Sequence, residues 1–178
     1  MSLALVRHGR TEWNRARRMQ GRTDVPLDGY GRAQADATGR ALSVAVWHRI
    51  VASPLGRARE TAEIISDCVG DVAVELDDAL VERGYGEAEG VAVAEAHERW
   101  PDEDFPGAEP IVDVVSRGAA AVRALAEDGR SAIVVAHGTL IRLTVSELTG
   151  QDCPRILNGE VVLLTREGDA FAARRVGG

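Results

Sequence analysis

Leu3-Ala4-Leu5-Val6-Arg7-His8-Gly9-Arg10-Thr11-Glu12-Trp13-Asn14 decides the architecture of the chain. Its first four residues are a short apolar run ended by a breaker, the pattern of a fully buried strand. The run gives way to a cation, an imidazole and a glycine, and then to a polar helix start. In open α/β sheets, ligands gather outside the carboxyl ends of the strands. Arg7 and His8 are therefore delivered to the edge where chemistry collects. Gly9 lets the backbone approach a ligand, and the helix that follows aims free N–H groups at an anion.

The same arrangement recurs near the other end. Ala132-Ile133-Val134-Val135-Ala136 is a second buried run, ending in His137-Gly138 and followed by a helical pattern. Two such units can bring two imidazoles to one edge of one sheet. An imidazole pair beside arginines suits an anion held for chemistry.

The chain has 178 residues, enough for one domain with a substantial core. The expected organisation is a single domain, 1–178, with a small cap or loop insertion at about 80–110. No run reaches membrane-spanning length, and Met1-Ser2-Leu3 leads straight into the first strand, so a cytoplasmic protein is expected. The two cysteines, Cys68 and Cys153, follow no metal-ligand spacing and read as half-buried thiols. A net charge of −7 argues against a nucleic-acid binder. All 21 basic residues are arginine. Without lysine, Schiff-base chemistry and a Walker-type phosphate loop are excluded. Arg7, Arg10, Arg15, Arg17, Arg18 and Arg22 still form a local positive region able to steer a small anion.

Alternating strand and helix patterns predict a three-layer α/β/α sandwich around a mostly parallel sheet with one antiparallel edge strand. Helices are expected over Glu12–Met19, from Asp28 to about Val46, from Pro54 to about Cys68, and over Ala92–Trp100, Pro110–Glu127 and Thr139–Leu148. In the second of these, Tyr30, Ala33, Ala37, Ala41 and Val44 are expected inward. In the fifth, Ile111, Val114, Val115, Val122 and Leu125 are. Ser53-Pro54 reads as a helix cap plus first helical residue. Strands are expected at Arg49–Ala52, Val72–Glu75 and Ser131–Ala136, with a closing hairpin across Glu167-Gly168-Asp169.

Four strand ends then matter: Arg7-His8, Ser53 to Arg57, Leu80 to Gly86, and His137-Gly138. A phosphoryl group suits this set. Guanidinium forks match its equatorial oxygens, a neutral imidazole can attack it, and the loop carboxyl Glu82 can protonate a leaving oxygen. Glu87 and Glu89 are nearby rivals for that carboxyl.

These blocks resemble the histidine phosphatase superfamily, the phosphoglycerate-mutase-like fold. Arg7 to Asn14 looks like its RHG signature and Gln20 to Leu27 like its second block. Ser53 to Thr61 matches SPLxRAxxT. Leu80-Val81-Glu82, Gly86 and Glu89-Gly90 match LxExxxGxxEG, and Val135 to Arg142 matches the second-histidine block. The resemblance implies a metal-independent phosphomonoesterase with no cofactor. His8 would carry the phosphoryl group. Arg7, Arg57 and His137 would bind its oxygens, with Asn14 and the Gly138 amide as further donors. Glu82 would be general acid and base. Gln20, Gly21, Arg83 and Tyr85 would contact the substrate beyond its phosphate. The proton on the other nitrogen of His8 should be held by a backbone carbonyl. Arg142 is expected to pack or pair structurally, and Arg15, Arg17 and Arg18 to form a solvated helix face. Ala88, Ala108, Pro110 and Thr139 depart from the family pattern around the pocket rim.

The expected partner is a small phosphorylated metabolite, not nucleic acid or membrane. The sequence is compatible with a homodimer as well as a monomer. Three other readings share the fold. A cofactor-dependent phosphoglycerate mutase is suggested by Glu82-Arg83-Gly84-Tyr85-Gly86, against which stand the short cap and missing lysine. A phosphohistidine-protein phosphatase fits the length but not the Gln20 to Leu27 block. A catalytically silent binding protein would lack groups that are all present here.

Overall fold

The computed structural model describes residues 1–168 and 170–176; Asp169, expected in the hairpin turn, lies outside them. Six strands form one sheet in the order β3-β2-β4-β1-β5-β6. They are β1 (Ser2–Arg7), β2 (Arg49–Ala52), β3 (Val74–Leu76), β4 (Ala132–Ala136), β5 (Val161–Glu167) and β6 (Ala170–Val176). The first four run parallel, and β5 joins β1 antiparallel, so the hairpin gives the sheet its antiparallel edge. The helices are α1 (Glu12–Arg15), α2 (Gly29–Leu42), α3 (Gly56–Val69), α4 (Val93–Arg99), α5 (Ile111–Glu127) and α6 (Gly138–Thr149). No helix among the described residues is long and apolar enough to cross a membrane.

The central strands are apolar at their buried inner positions, residues 3–6, 50–52 and 132–136, because both faces are covered. Leu3, Leu5, Val134 and Ala136 face α5 and α6. Ala4, Val6, Ile133 and Val135 face α2 and α3, as the period of two demands. A third apolar cluster lies off the sheet. Met19, Tyr85, Ala88, Ala96 and Phe105 pack together under residues 80–110 and form the cap. Backbone bonds from Met19 to Val91, Gly90 to Met19 and Val93 to Arg17 stitch the cap to the segment after α1.

Register positions the site. Arg7 pairs with Ala136 on the adjacent parallel strand. The next residues are His8 and His137, so the two imidazoles leave neighbouring strands at the same level. Ser53 follows Ala52 at the end of β2, on the other side of β4. Three consecutive strand ends thus place Ser53, His137 and His8 side by side.

The structure corrects several expectations. α1 stops at Arg15, and Arg17 takes a left-handed conformation (φ 52°) that turns the chain toward the cap. α2 ends at Leu42, and its buried face is Gly31, Ala35, Thr38, Gly39 and Leu42. Tyr30 and Val44, expected inward, are 58% and 90% exposed, and Ala33, Ala37 and Ala41 are exposed too. The reason is close approach. A Cβ on Gly39 would lie 2.8 Å from that of Cys68, so α2 and α3 meet through glycine. α3 begins at Gly56 after Leu55, and Ser53 caps nothing with a full turn. β3 is shifted to Val74–Leu76, and Ile111 is exposed at the start of α5.

The tightest backbone approach is directly behind the site. A Cβ on Gly31 would sit 2.1 Å from the Arg10 carbonyl oxygen, and one on Gly9 would sit 2.2 Å from that of Gly31. Neither neighbour is a flexible side-chain end. Gly31→Ala should therefore cost about 2 kcal/mol or more of stability, as overpacking against a fixed wall does. Gly29→Ala, which meets nothing within 4 Å, should be neutral or slightly stabilising. Urea unfolding of the two variants beside wild type checks the contrast.

Candidate active site

His8 is buried, and its Nδ1 is 2.7 Å from the carbonyl oxygen of Gly9. That carbonyl can only accept, so the proton sits on Nδ1 and Nε2 keeps its lone pair. The Nε–H of Arg57 points at Nε2 from 3.3 Å. His137 lies edge-on to His8, ring centroids 5.1 Å apart. Its Nε2 is 2.8 Å from the hydroxyl of Ser53, which accepts from the Leu55 amide and can donate to the ring. With that hydroxyl donating, His137 Nδ1 carries the proton, and no protein atom accepts from it among the described residues.

Burial pushes the His8 pKa well below 6.5, and the charges of Arg57 and Arg7 push the same way. His137 is lowered by burial first, then by Arg57, His8 and Arg7. Both imidazoles are neutral at neutral pH. Burial also lowers the two guanidinium pKa values, against the pull of Glu82 on both.

Arg7 donates from Nη1 to the Ile156 carbonyl at 2.7 Å, while its Nε is buried without a partner. Beside it, a Cβ on Gly138 would lie 3.2 Å from Arg7 Nε, so the start of α6 packs on the guanidinium. The next two amides of α6, of Thr139 and Leu140, donate to the Glu82 carboxylate at 3.0 Å each. The amide of Arg83 adds a third bond at 2.9 Å. Gln20 accepts at Oε1 from Thr11 and Asn14, 3.0 Å each, which turns its unpartnered Nε2 the other way.

A cavity of about 670 Å³ opens over these groups. Arg7, Asn14, Gln20, Glu82, Tyr85 and Gly138 line it, which brings six of the expected site residues together. His8, Arg57 and His137 lie beneath the lining, each almost wholly enclosed. Among the described residues no group of three His, Cys, Asp or Glu side chains could hold a metal ion.

Two expected contacts lie elsewhere. Arg83 turns into the cap, donating to the carbonyls of Glu109 and Glu103 between the rings of Tyr85 and Phe105. Those acceptors and rings hold it away from the cavity. Gly21 does not line the cavity either. Its carbonyl accepts from Arg57 Nη2 at 2.6 Å, and a Cβ there would strike Glu89 Oε1 at 2.3 Å. Glu87 and Glu89 are separated by the structure. Glu87 is exposed. Glu89 accepts from the amides of Arg22, Thr23 and Tyr85 and from the Thr23 hydroxyl, and so shapes the loop that holds Arg57.

Sequence reasoning missed other groups. Asn158 donates to the His8 carbonyl at 3.0 Å and to Asn14 Oδ1 at 3.0 Å, and lines the cavity. Thr61 accepts from the Gly9 amide at 3.1 Å. Ser53 fixes the His137 ring. Arg17, Arg18, Arg142 and Arg155 line the cavity mouth, whereas the first two were expected on a solvated face and Arg142 in a structural pair. Ser53 and Thr61 stand in the SPLxRAxxT block and Arg142 in the second-histidine block, whereas no pattern marks Asn158 or Arg155.

The chain is similar to known proteins over most of its length. The uncharacterized phosphatase PhoE of Bacillus subtilis (strain 168) is 40% identical over 153 residues, spanning 85% of this chain and 79% of its own length. A probable phosphoglycerate mutase, GpmB, of Klebsiella pneumoniae is 34% identical over 167 residues, covering 84% and 75%. Among solved structures, a mycobacterial glucosyl-3-phosphoglycerate phosphatase in complex with VO3 superposes with a TM-score of 0.85. It is 28% identical and covers 98% of this chain and 96% of that one. Residues 3–177 match the family model described as histidine phosphatase superfamily, branch 1. With the paired strand-end histidines and their arginines in place, the chain belongs to the histidine phosphatase superfamily.

Proposed function

We propose that the chain is a phosphomonoesterase that hydrolyses a small phosphorylated metabolite through a phosphohistidine on His8. One observation carries this reading. Around a neutral imidazole whose Nε2 is unprotonated, the buried polar atoms left unpaired among the described residues are donors: Arg7 Nε, Gln20 Nε2 and His137 Nδ1. A buried donor without a partner is costly. A ligand that only accepts, such as a phosphoryl dianion, satisfies all three.

In this reading His8 Nε2 attacks phosphorus and the bond to the leaving oxygen breaks. The guanidiniums of Arg7 and Arg57 and the His137 N–H meet the charge that builds on the equatorial oxygens. Glu82 gives its proton to the leaving oxygen. Water then attacks phosphorus, Glu82 takes the water's proton, and the nitrogen–phosphorus bond breaks to release phosphate and restore His8. The names of the relatives, phosphatases and probable mutases, support the class.

Phosphate release from a panel of phosphomonoesters, with chelator present, tests the proposal. His8→Ala should abolish turnover and ³²P labelling. Glu82→Gln should lower kcat by roughly 10²–10⁴ for poor leaving groups and far less for p-nitrophenyl phosphate, which needs no proton. Conversion of 3- to 2-phosphoglycerate without release would replace the hydrolase by a mutase.

The neutral histidine pair has a stability signature. An unfolded histidine takes up a proton near pH 6.5, while the folded pair, held well below that, does not. The unfolded state therefore binds more protons as pH falls, and stability is lost from about pH 6.5 downward. The slope approaches about 1.4 kcal/mol per pH unit for each histidine. Urea unfolding between about pH 5.5 and 7.5 should show it, and a His8→Asn/His137→Asn variant should show a smaller slope.

The loop clasp predicts a further separation. Glu89→Ala frees the Gly21–Thr23 segment whose carbonyls hold Arg57, so kcat should fall at least tenfold. Glu87→Ala should leave steady-state kinetics within about twofold.

A further inference from the structure

The cavity has a second positive region that phosphoryl chemistry does not use. Arg17, Arg18, Arg142 and Arg155 line its mouth, and Glu82 is the sole carboxylate among the lining residues. Arg18 Nη1 is bound to the Gly90 carbonyl at 2.6 Å. The guanidiniums of Arg17, Arg142 and Arg155 have no hydrogen-bonding or ion-pair partner among the described residues. Several other surface arginines are paired instead. Arg15, Arg32, Arg40 and Arg99, also on the surface, each lie within 4 Å of a carboxylate.

The three are brought together from distant parts of the sequence. Arg17 stands at the left-handed turn after α1, Arg142 on the second turn of α6, and Arg155 just before Ile156. A non-glycine residue at positive φ is strained. Here the conformation is fixed by the Val93 amide donating to the Arg17 carbonyl at 2.8 Å. Arg155 is close enough to Arg7 to oppose its charge. Like charges gathered around one opening repel unless an anion lies between them. Met19, Val93 and Ile156 add apolar stretches to the lining.

From this we infer that the substrate is a phosphomonoester with a second anionic group at the far end of its body, received by Arg17, Arg142 and Arg155. The inference rests on the phosphatase reading for which end enters first. Both a carboxylate and a second phosphate have the required chemistry, since each offers acceptor oxygens to guanidinium forks. The exposed rim makes this recognition sensitive to salt.

Non-hydrolysable ligands separate the subsite from catalysis. Calorimetry gives the Kd of benzylphosphonate, of its 4-carboxy derivative and of its 4-phosphonomethyl derivative, for wild type, Arg142→Gln and Arg155→Gln. The readout is the ratio of Kd values within each protein, so a general loss of folded protein cancels. Wild type should bind at least one doubly anionic ligand about tenfold more tightly than benzylphosphonate, and the better of the two names the second group. Either substitution should bring the ratio to within about threefold of one, as should raising the salt to about 0.5 M. A wild-type ratio near one, or a preference that survives both substitutions, overturns the inference. Hydrolysis of the matching phosphates is measured in parallel. Retained preference in binding without turnover would refute the phosphatase and leave the subsite standing.

Discussion

The guanidinium of Arg57 is the group on which the site depends. It is wholly excluded from solvent, and its three nitrogens bind three different things. Nη2 and Nη1 donate to the carbonyls of Gly21 and Thr23, and Nε to His8 Nε2. One side chain thereby joins α3, the loop after α1 and the end of β1. Burying such a charge costs several kcal/mol. The two carbonyls and Asp24, whose carboxylate lies 3.9 Å away, offset only part of it. The remaining positive field is directed at His8, where it adds to burial in keeping the imidazole unprotonated.

Sheet geometry explains why so few residues suffice. Adjacent strands lie about 4.8 Å apart, and the rings of His8 and His137 are separated by about the same distance. No loop has to be shaped to bring them together. Loops supply the second layer instead. Asn158 grips the backbone of His8, Ser53 sets the His137 ring, and Thr61 receives the Gly9 amide. Each of these is a short polar side chain, two in loops and one inside α3, and each fixes the orientation of the group it binds.

That division sets what the sequence reveals. The strands β1, β2 and β4 are legible as apolar runs because nothing else produces four or five buried residues in a row. His8, His137, Arg7 and Arg57 are legible because they follow such runs or match known blocks. The inner face of α2 is not, since the helix packs through Gly31 and Gly39, and a search for large apolar residues points to the opposite side. Arg83 misleads for a related reason. Its position beside Glu82 says nothing of direction, which is set by carbonyls at Glu103 and Glu109, some twenty or more residues away. Asn158 belongs to no pattern at all; only the return of the chain into β5 brings it under His8.

The same logic separates the two sets of arginines. Arg7 and Arg57 are enclosed, bound to carbonyls and aimed at fixed points, so removing either would leave buried acceptors unpaired as well as removing charge. Such residues can hardly change without loss of the frame. Arg17, Arg142 and Arg155 lie at the rim on three separate segments and support nothing beneath them. Arg17 itself is tied to the cap through its backbone carbonyl, a bond that any side chain at that position could keep. A fold with a buried centre that resists substitution and a replaceable charged rim can keep one reaction while its substrate changes. The net charge of −7 sharpens the contrast, because repulsion from the rest of the surface leaves this opening as the place where an anion is drawn in.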